Sequence, residues 1–161
     1  MNKVKCIDGV VIKPLKRIDD ERGWLTEILR CDDPQFSQFG QVYMTAVYRD
    51  VIKGLHMHGR QTDHVTCVHG RVKVILAKAA IHEDWVTSSC SWRGEYMELY
   101  LTADSPSLVV IPPGIYHGWK AYECDYALMI NVPNLPYDRA EPDEHRLDPY
   151  ELGELWSRRD G

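Results

Sequence analysis

His56 and His58 stand one residue apart in the stretch Lys53-Gly54-Leu55-His56-Met57-His58-Gly59-Arg60-Gln61-Thr62-Asp63-His64. In an extended strand the side chains alternate with a period of two, so both imidazoles project to one face. A second polar point, Pro112-Pro113-Gly114-Ile115-Tyr116-His117, follows a buried apolar run. If the strands close into a small barrel, inward positions from both segments meet in its mouth, where pockets form. His56, His58, His117, Asp63, Lys53 and Arg60 then share one cavity. His56, His58, Asp63 and His117 make a three-histidine, one-carboxylate set. Such nitrogen and oxygen donors suit Fe, Mn, Ni or Zn with open positions, which leaves oxygenase, isomerase or lyase chemistry available. Blander roles stand beside these. His58 can cap a loop, and Asp63 can neutralise Lys53 or a histidine, because buried polar groups need partners anyway. His64, His69, His82 and His145 read as surface or turn residues.

The elements that must position these groups are mostly strands. Residues 41–48 (QVYMTAVY) are rich in β-branched and aromatic residues. Residues 63–79 read as two alternating strands around a turn at His69-Gly70. Residues 95–103, 107–114 and 125–133 supply three more, the second ended by Pro112, Pro113 and Gly114. Helical patterns are few. Asp32-Asp33-Pro34 could open a short helix, and Asp148-Pro149 before YELGELW has the chemistry of a C-terminal helix start. Many short strands with Gly and Pro turns predict an all-β sandwich or barrel such as a jelly roll, in one domain over 1–161. The tail PYDRAEPDEHRLDP is expected to wrap the outside.

Composition narrows the function classes. The 161 residues (18.6 kDa) are enough for a single core. Lys and Arg number 19 against 24 Asp and Glu, a net charge of -5, which argues against a general nucleic-acid binder. An anionic ligand must then be held by a local cationic cluster. No apolar run approaches the ~20 residues of a membrane span. The N-terminus has no apolar signal core, and a cytoplasmic location is expected. The five cysteines (Cys6, Cys31, Cys67, Cys90, Cys124) include no CxxC pair and read as small core residues and free thiols.

The histidine segments also carry a resemblance. HxH, Asp63, Gly70 and the later PxGxxH ending at His117 are similar to the two-part cupin motif. A closer likeness is to the dTDP-4-dehydrorhamnose 3,5-epimerase family, itself a cupin-type jelly roll. Asp20-Glu21-Arg22-Gly23-Trp24 with Glu27 resembles its DxRGxxxE opening. Val51-Ile52-Lys53-Gly54-Leu55-His56 resembles VLRGLH, and Ile111 to Gly118 resembles IPxGxxHG. The likeness covers roughly residues 10–150. It implies chemistry at carbons flanking the ketone of a nucleotide-linked 4-keto-6-deoxy sugar, with no metal or redox cofactor. A base must take a proton beside the carbonyl, a cation or donor must steady the enolate oxygen, and an acid must return a proton. The resemblance makes His56 the base, a task that suits a neutral imidazole. It places Lys53 near the enolate or phosphate and His117 as a donor or orienter. Arg22 would bind the diphosphate. Gln41, Glu27, His58, Arg60 and Asp63 follow as further substrate contacts. It also implies a homodimer whose partner strands complete the site, and a role in deoxysugar or polysaccharide biosynthesis.

The departures from the pattern are specific. His58 stands where the family has Gln, and Asp63 where it has Lys. Its tyrosine acid aligns with Ile130, and Tyr126, four residues earlier with the same strand parity, is the substitute. Asp148 and Asp160 are nominal candidates for the late Asp that supports the histidine. Three functions therefore compete: the epimerase or a close isomerase variant, a metal-dependent cupin, and a sugar-binding module without catalysis.

Overall fold

The computed structural model describes residues 2–3, 6–79 and 94–157. In chain order the strands are β1 (Asn2–Lys3), β2 (Val11–Pro14), β3 (Arg17–Asp20), β4 (Gly23–Thr26), β5 (Tyr43–Tyr48), β6 (Ile52–Met57), β7 (Asp63–His69), β8 (Arg71–Ala79), β9 (Gly94–Thr102), β10 (Ser107–Ile111), β11 (Tyr116–Ala121), β12 (Tyr126–Asn131) and β13 (His145–Arg146). A 3-10 turn, Pro149–Leu152, runs into the short helix α1, Gly153–Trp156.

Two sheets face each other. One has six strands in the order β1-β9-β8-β11-β6-β13, the other five in the order β2-β10-β7-β12-β5; β3 and β4 form a separate hairpin. The expected turn at His69-Gly70 joins β7 to β8 across the two sheets. Gly70 takes φ +73, and a Cβ there would meet the Tyr126 carbonyl oxygen at 2.6 Å, so no larger residue fits.

Alternation along the strands decides what is buried. Val65, Cys67, Val72, Val74, Leu76, Val109, Ile111, Ala127 and Met129 point between the sheets and form the main core. The outer positions are not left wet. Leu55, Ile75 and Ala77 on the six-stranded sheet lie under Leu152, Leu155 and Trp156, while Leu108 and Val110 on β10 are covered by Leu15, Ile28 and Leu29. That double coverage is why β8 and β10 read as near-continuous apolar runs.

The C-terminal helix forms where expected, with the Asp148 carboxylate accepting from the Tyr150 N–H and Pro149 in the first turn. No helix follows Asp32-Asp33-Pro34. The Asp33 carboxylate instead accepts from Lys13 Nζ at 2.6 Å and from the Arg30 N–H at 2.9 Å, closing a turn against β2. The tail also departs from expectation. Rather than wrapping only the exterior, it lays β13 along β6 and forms one wall of the cavity below. Of the cysteines, Cys67 is buried, Cys124 half-buried, and Cys6 and Cys31 exposed, all free; Cys90 lies outside the described residues, as do His82, Trp85, Trp92 and Asp160. Among the described residues no helix is long and apolar enough to cross a membrane.

Candidate active site

β6 and β11 are antiparallel neighbours with His56 directly opposite His117, and β13 places Arg146 on the other side of His56. The His56 and His117 rings lie 4.1 Å apart, centroid to centroid, and His58 lies 5.4 Å from His56. Asp63, the first residue of β7, faces them from the opposite sheet. Its Oδ2 is 3.1 Å from His117 Nε2 and 3.5 Å from His58 Nε2. One nitrogen from each of the three rings and a carboxylate oxygen all fall within 4.8 Å of one another.

The surroundings hold three of these groups and leave one open. His117 Nδ1 donates to the Ile115 carbonyl at 3.0 Å, and His58 Nδ1 donates to the Asp143 carbonyl. The Asp143 carboxylate in turn takes the N–H groups of Gly59, Arg60 and Gln61, which fixes the loop carrying His58. Asp63 Oδ1 accepts from Gln61 Nε2 and Asn131 Nδ2, both at 2.8 Å. Burial pushes the Asp63 carboxyl up, but the contacts and charge of His117 and the Asn131 hydrogen bond outweigh it and hold the pKa at about 2. The close His117–Asp63 approach is poorly directed as a hydrogen bond: Asp63 Oδ2 and His117 Nε2 are both buried without a well-aligned partner. His56 has no hydrogen bond to its ring among the described residues. Burial, reinforced by His117 and His58, lowers its pKa to about 3, so it is a neutral imidazole at neutral pH.

His56 and His58 open onto a cavity of about 1000 Å³. Gln41, Tyr43, Thr45, Lys53, Trp119, Tyr137, Arg139, Glu144 and Arg146 share its lining. Lys53, Arg139 and Arg146 supply the local positive charge that an anionic ligand of this acidic chain requires. Lys53 Nζ is tethered to Thr45 Oγ1 at 2.6 Å and to the Ala46 carbonyl at 3.0 Å.

The structure thus brings His56, His58, Asp63, His117, Lys53 and Gln41 together. It does not bring Tyr126. The inward residues of β12 are Ala127, Met129 and Asn131, so Tyr126 and Ile130 share parity but point outward. Tyr126 stacks on the exposed His69, with centroids 4.7 Å apart. Arg22 lies at the β3–β4 turn, 84% exposed and paired with Asp20, and Glu27 pairs with Arg30; neither lines this chain's cavity. Arg60 is exposed beside Asp143 in a separate small recess. Asp148 reaches the cavity but is used as a helix cap. His64, expected on the surface, is buried between the Val132 and Gln35 carbonyls. Tyr43, Asn131, Tyr137, Arg139 and Arg146 are additions. Tyr43 shares its parity with Thr45 and the buried Val47, a signal legible in the period of β5, and Asn131 is the one polar residue closing an apolar strand.

The chain resembles known proteins along most of its length. The chain is 32% identical over 153 residues to the spore coat polysaccharide biosynthesis protein SpsL of Bacillus subtilis, covering 94% of this chain and 97% of that one. It is 32% identical over 152 residues, 90% and 89% of the two chains, to the "Probable low-salt glycan biosynthesis epimerase Agl13" of Haloferax volcanii. Among solved structures, a dTDP sugar isomerase from Desulfovibrio desulfuricans superposes with a TM-score of 0.75 at 28% identity, over 88% of this chain and 85% of that one. The family model for dTDP-4-dehydrorhamnose 3,5-epimerase matches residues 5–159. The fold, the paired histidines and this match together establish that the chain belongs to the dTDP-4-dehydrorhamnose 3,5-epimerase family.

Proposed function

We propose that the protein takes a nucleotide-linked 4-keto-6-deoxy sugar, with dTDP as the nucleotide, and moves a proton at a carbon flanking the ketone. One observation carries this reading. His56, the one ring of the cluster that no hydrogen bond fixes, faces a cavity of about 1000 Å³ rimmed by Lys53, Arg139 and Arg146. His56 takes the carbon-bound proton, and the cationic rim receives the diphosphate. Lys53, tied to β5, stands at the same wall.

The product serves polysaccharide or glycan assembly, the role for which the relatives SpsL and Agl13 are named. We further infer a homodimer acting in the cytoplasm. Ile18, Trp24 and Leu25 on the hairpin and Met44 and Tyr48 on β5 are exposed apolar residues that a second copy would cover. The same pairing gives Arg22 and Glu27 a use, because the hairpin that carries them away from their own cavity can enter the partner's.

Incubation with dTDP-4-keto-6-deoxyglucose in deuterated water tests the reading. Deuterium enters a ring carbon beside the ketone, and His56→Ala slows that entry by ~10²–10⁴-fold, as loss of a general base does. Binding without exchange in the native protein overturns catalysis and leaves the sugar-binding alternative.

A further inference from the structure

From the hydrogen-bonding around the histidine cluster we infer a divalent transition-metal site formed by His58, His117 and Asp63, with His56 beside it as a non-ligand. This departs from the cofactor-free expectation. The argument begins with proton positions. A ring nitrogen facing a backbone carbonyl must carry hydrogen, because a carbonyl only accepts. Nδ1 of His117 faces the Ile115 carbonyl, and Nδ1 of His58 faces that of Asp143. With Nδ1 committed in each ring, Nε2 is the atom left to bind, and both Nε2 atoms converge on the same atom, Asp63 Oδ2. The other carboxylate oxygen already has two donors, Gln61 and Asn131, so Oδ2 is the one left to coordinate.

Asp63 Oδ2 and His117 Nε2 are both buried without a well-aligned partner, and with His58 Nε2 they converge on a point that a cation would fill. Asp63 and His117 are only 1% and 2% exposed at their side chains, so bulk water does not relieve them. One divalent ion satisfies all three atoms at once. The spacing agrees: bonds of ~2.1 Å at 90–110° put ligand atoms ~3.0–3.4 Å apart, and Oδ2 lies 3.1 and 3.5 Å from the two nitrogens. Donating the far ring nitrogen to a carbonyl and hydrogen-bonding the far carboxylate oxygen is the outer arrangement that orients metal ligands. Two imidazoles and one carboxylate suit Fe²⁺, Co²⁺, Ni²⁺ or Zn²⁺ with positions left open.

His56 lacks that outer arrangement, which is why it is excluded from the ligands. The substitutions that depart from the family pattern also acquire a common purpose. Asp63 removes an expected Lys and His58 replaces an expected Gln, and together these two residues build a seat for a cation where the Lys is lost. If the proposed function holds, an ion there would steady the enolate oxygen while His56 handles the proton; ion binding itself does not depend on that function.

The test uses the full chain, stripped with a chelator and titrated with Co²⁺ alone, read by visible d–d absorption and by the rise in Tm. One Co²⁺ per chain is expected. His58→Gln keeps size and polarity, and is the residue the family pattern has there; it should weaken binding by ~10–100-fold, as should Asp63→Asn. His56→Ala should bind Co²⁺ within a few-fold of the native chain. No saturable Co²⁺ signal in the native protein overturns the site. Equal binding by His58→Gln, or loss of binding in His56→Ala, overturns the ligand assignment. Deuterium exchange at an undiminished rate in the stripped protein would uphold the epimerase reading while denying the ion a role, so the two failures are separable.

Discussion

Tyr43 presents the cavity with a phenol already arranged to give up a proton. Its oxygen accepts from Asn131 Nδ2 at 2.9 Å, which leaves its own O–H to donate elsewhere. Burial raises its pKa, as do the Asp63 and Glu144 carboxylates, so it stays protonated at neutral pH. Inversion at carbon needs a donor on the face opposite the base, and the outward-turned Tyr126 cannot be that donor. Tyr43→Phe is therefore expected to keep deuterium entry at the ring carbon and to lower the yield of epimerised sugar by ~10²-fold or more. Product analysis by NMR separates the two, and an unchanged rate of inversion removes Tyr43 from the role. The histidines were legible in the sequence because HxH and a strand's period of two fix which rings share a face. The acid was not. Parity correctly groups Tyr126 with Ile130, but it does not say which face is inward; the burial of Ala127 and Met129 and the Asn131–Asp63 hydrogen bond decide that.

At the scale of elements, the site depends on how closely β6 and β11 approach. A Cβ on Gly118 would lie 2.8 Å from the Lys53 carbonyl oxygen and 3.2 Å from the Gly54 Cα, both backbone atoms that cannot swing aside. Gly118 is thus the spacer that lets His117 stand against His56. Gly118→Ala should cost ~1–3 kcal/mol, in the range of overpacking, and lower Tm by several degrees. It should also slow deuterium exchange, since the strands must part by a few tenths of an ångström. A native Tm in this variant would show that the spacing is set elsewhere. Most strands were readable from β-branched alternation and Gly or Pro ends, including the β7–β8 turn. The stretch after Asp32 carries an acidic residue before Pro, which resembles a helix cap, but the Lys13 ammonium 20 residues away claims the Asp33 carboxylate instead. The cavity wall built from residues 137–147 has no periodicity to read, since it is held by isolated contacts such as Asp143 to the Gly59–Gln61 amides.

For the whole molecule the question is what covers the outer face of the five-stranded sheet. Met44 is 62% exposed and Tyr48 66%, on a strand that lies at the edge of its sheet among the described residues. Edges of this kind invite another chain, and a second copy is the occupant that also brings an Arg22 hairpin toward a cavity. A stable pair buries ~800 Å² on each partner, so a carboxylate at its centre is poorly tolerated. Met44→Glu should convert a dimer to a monomer in light scattering after gel filtration, whereas Lys78→Glu, on the opposite sheet, should not. If Arg22 works in the partner's cavity, Met44→Glu should weaken sugar-nucleotide binding as much as Arg22→Ala does, and combining the two should add little. A native chain that runs as a monomer at micromolar concentration would end both the dimer and the role of Arg22; a dimeric Met44→Glu would move the interface to another face.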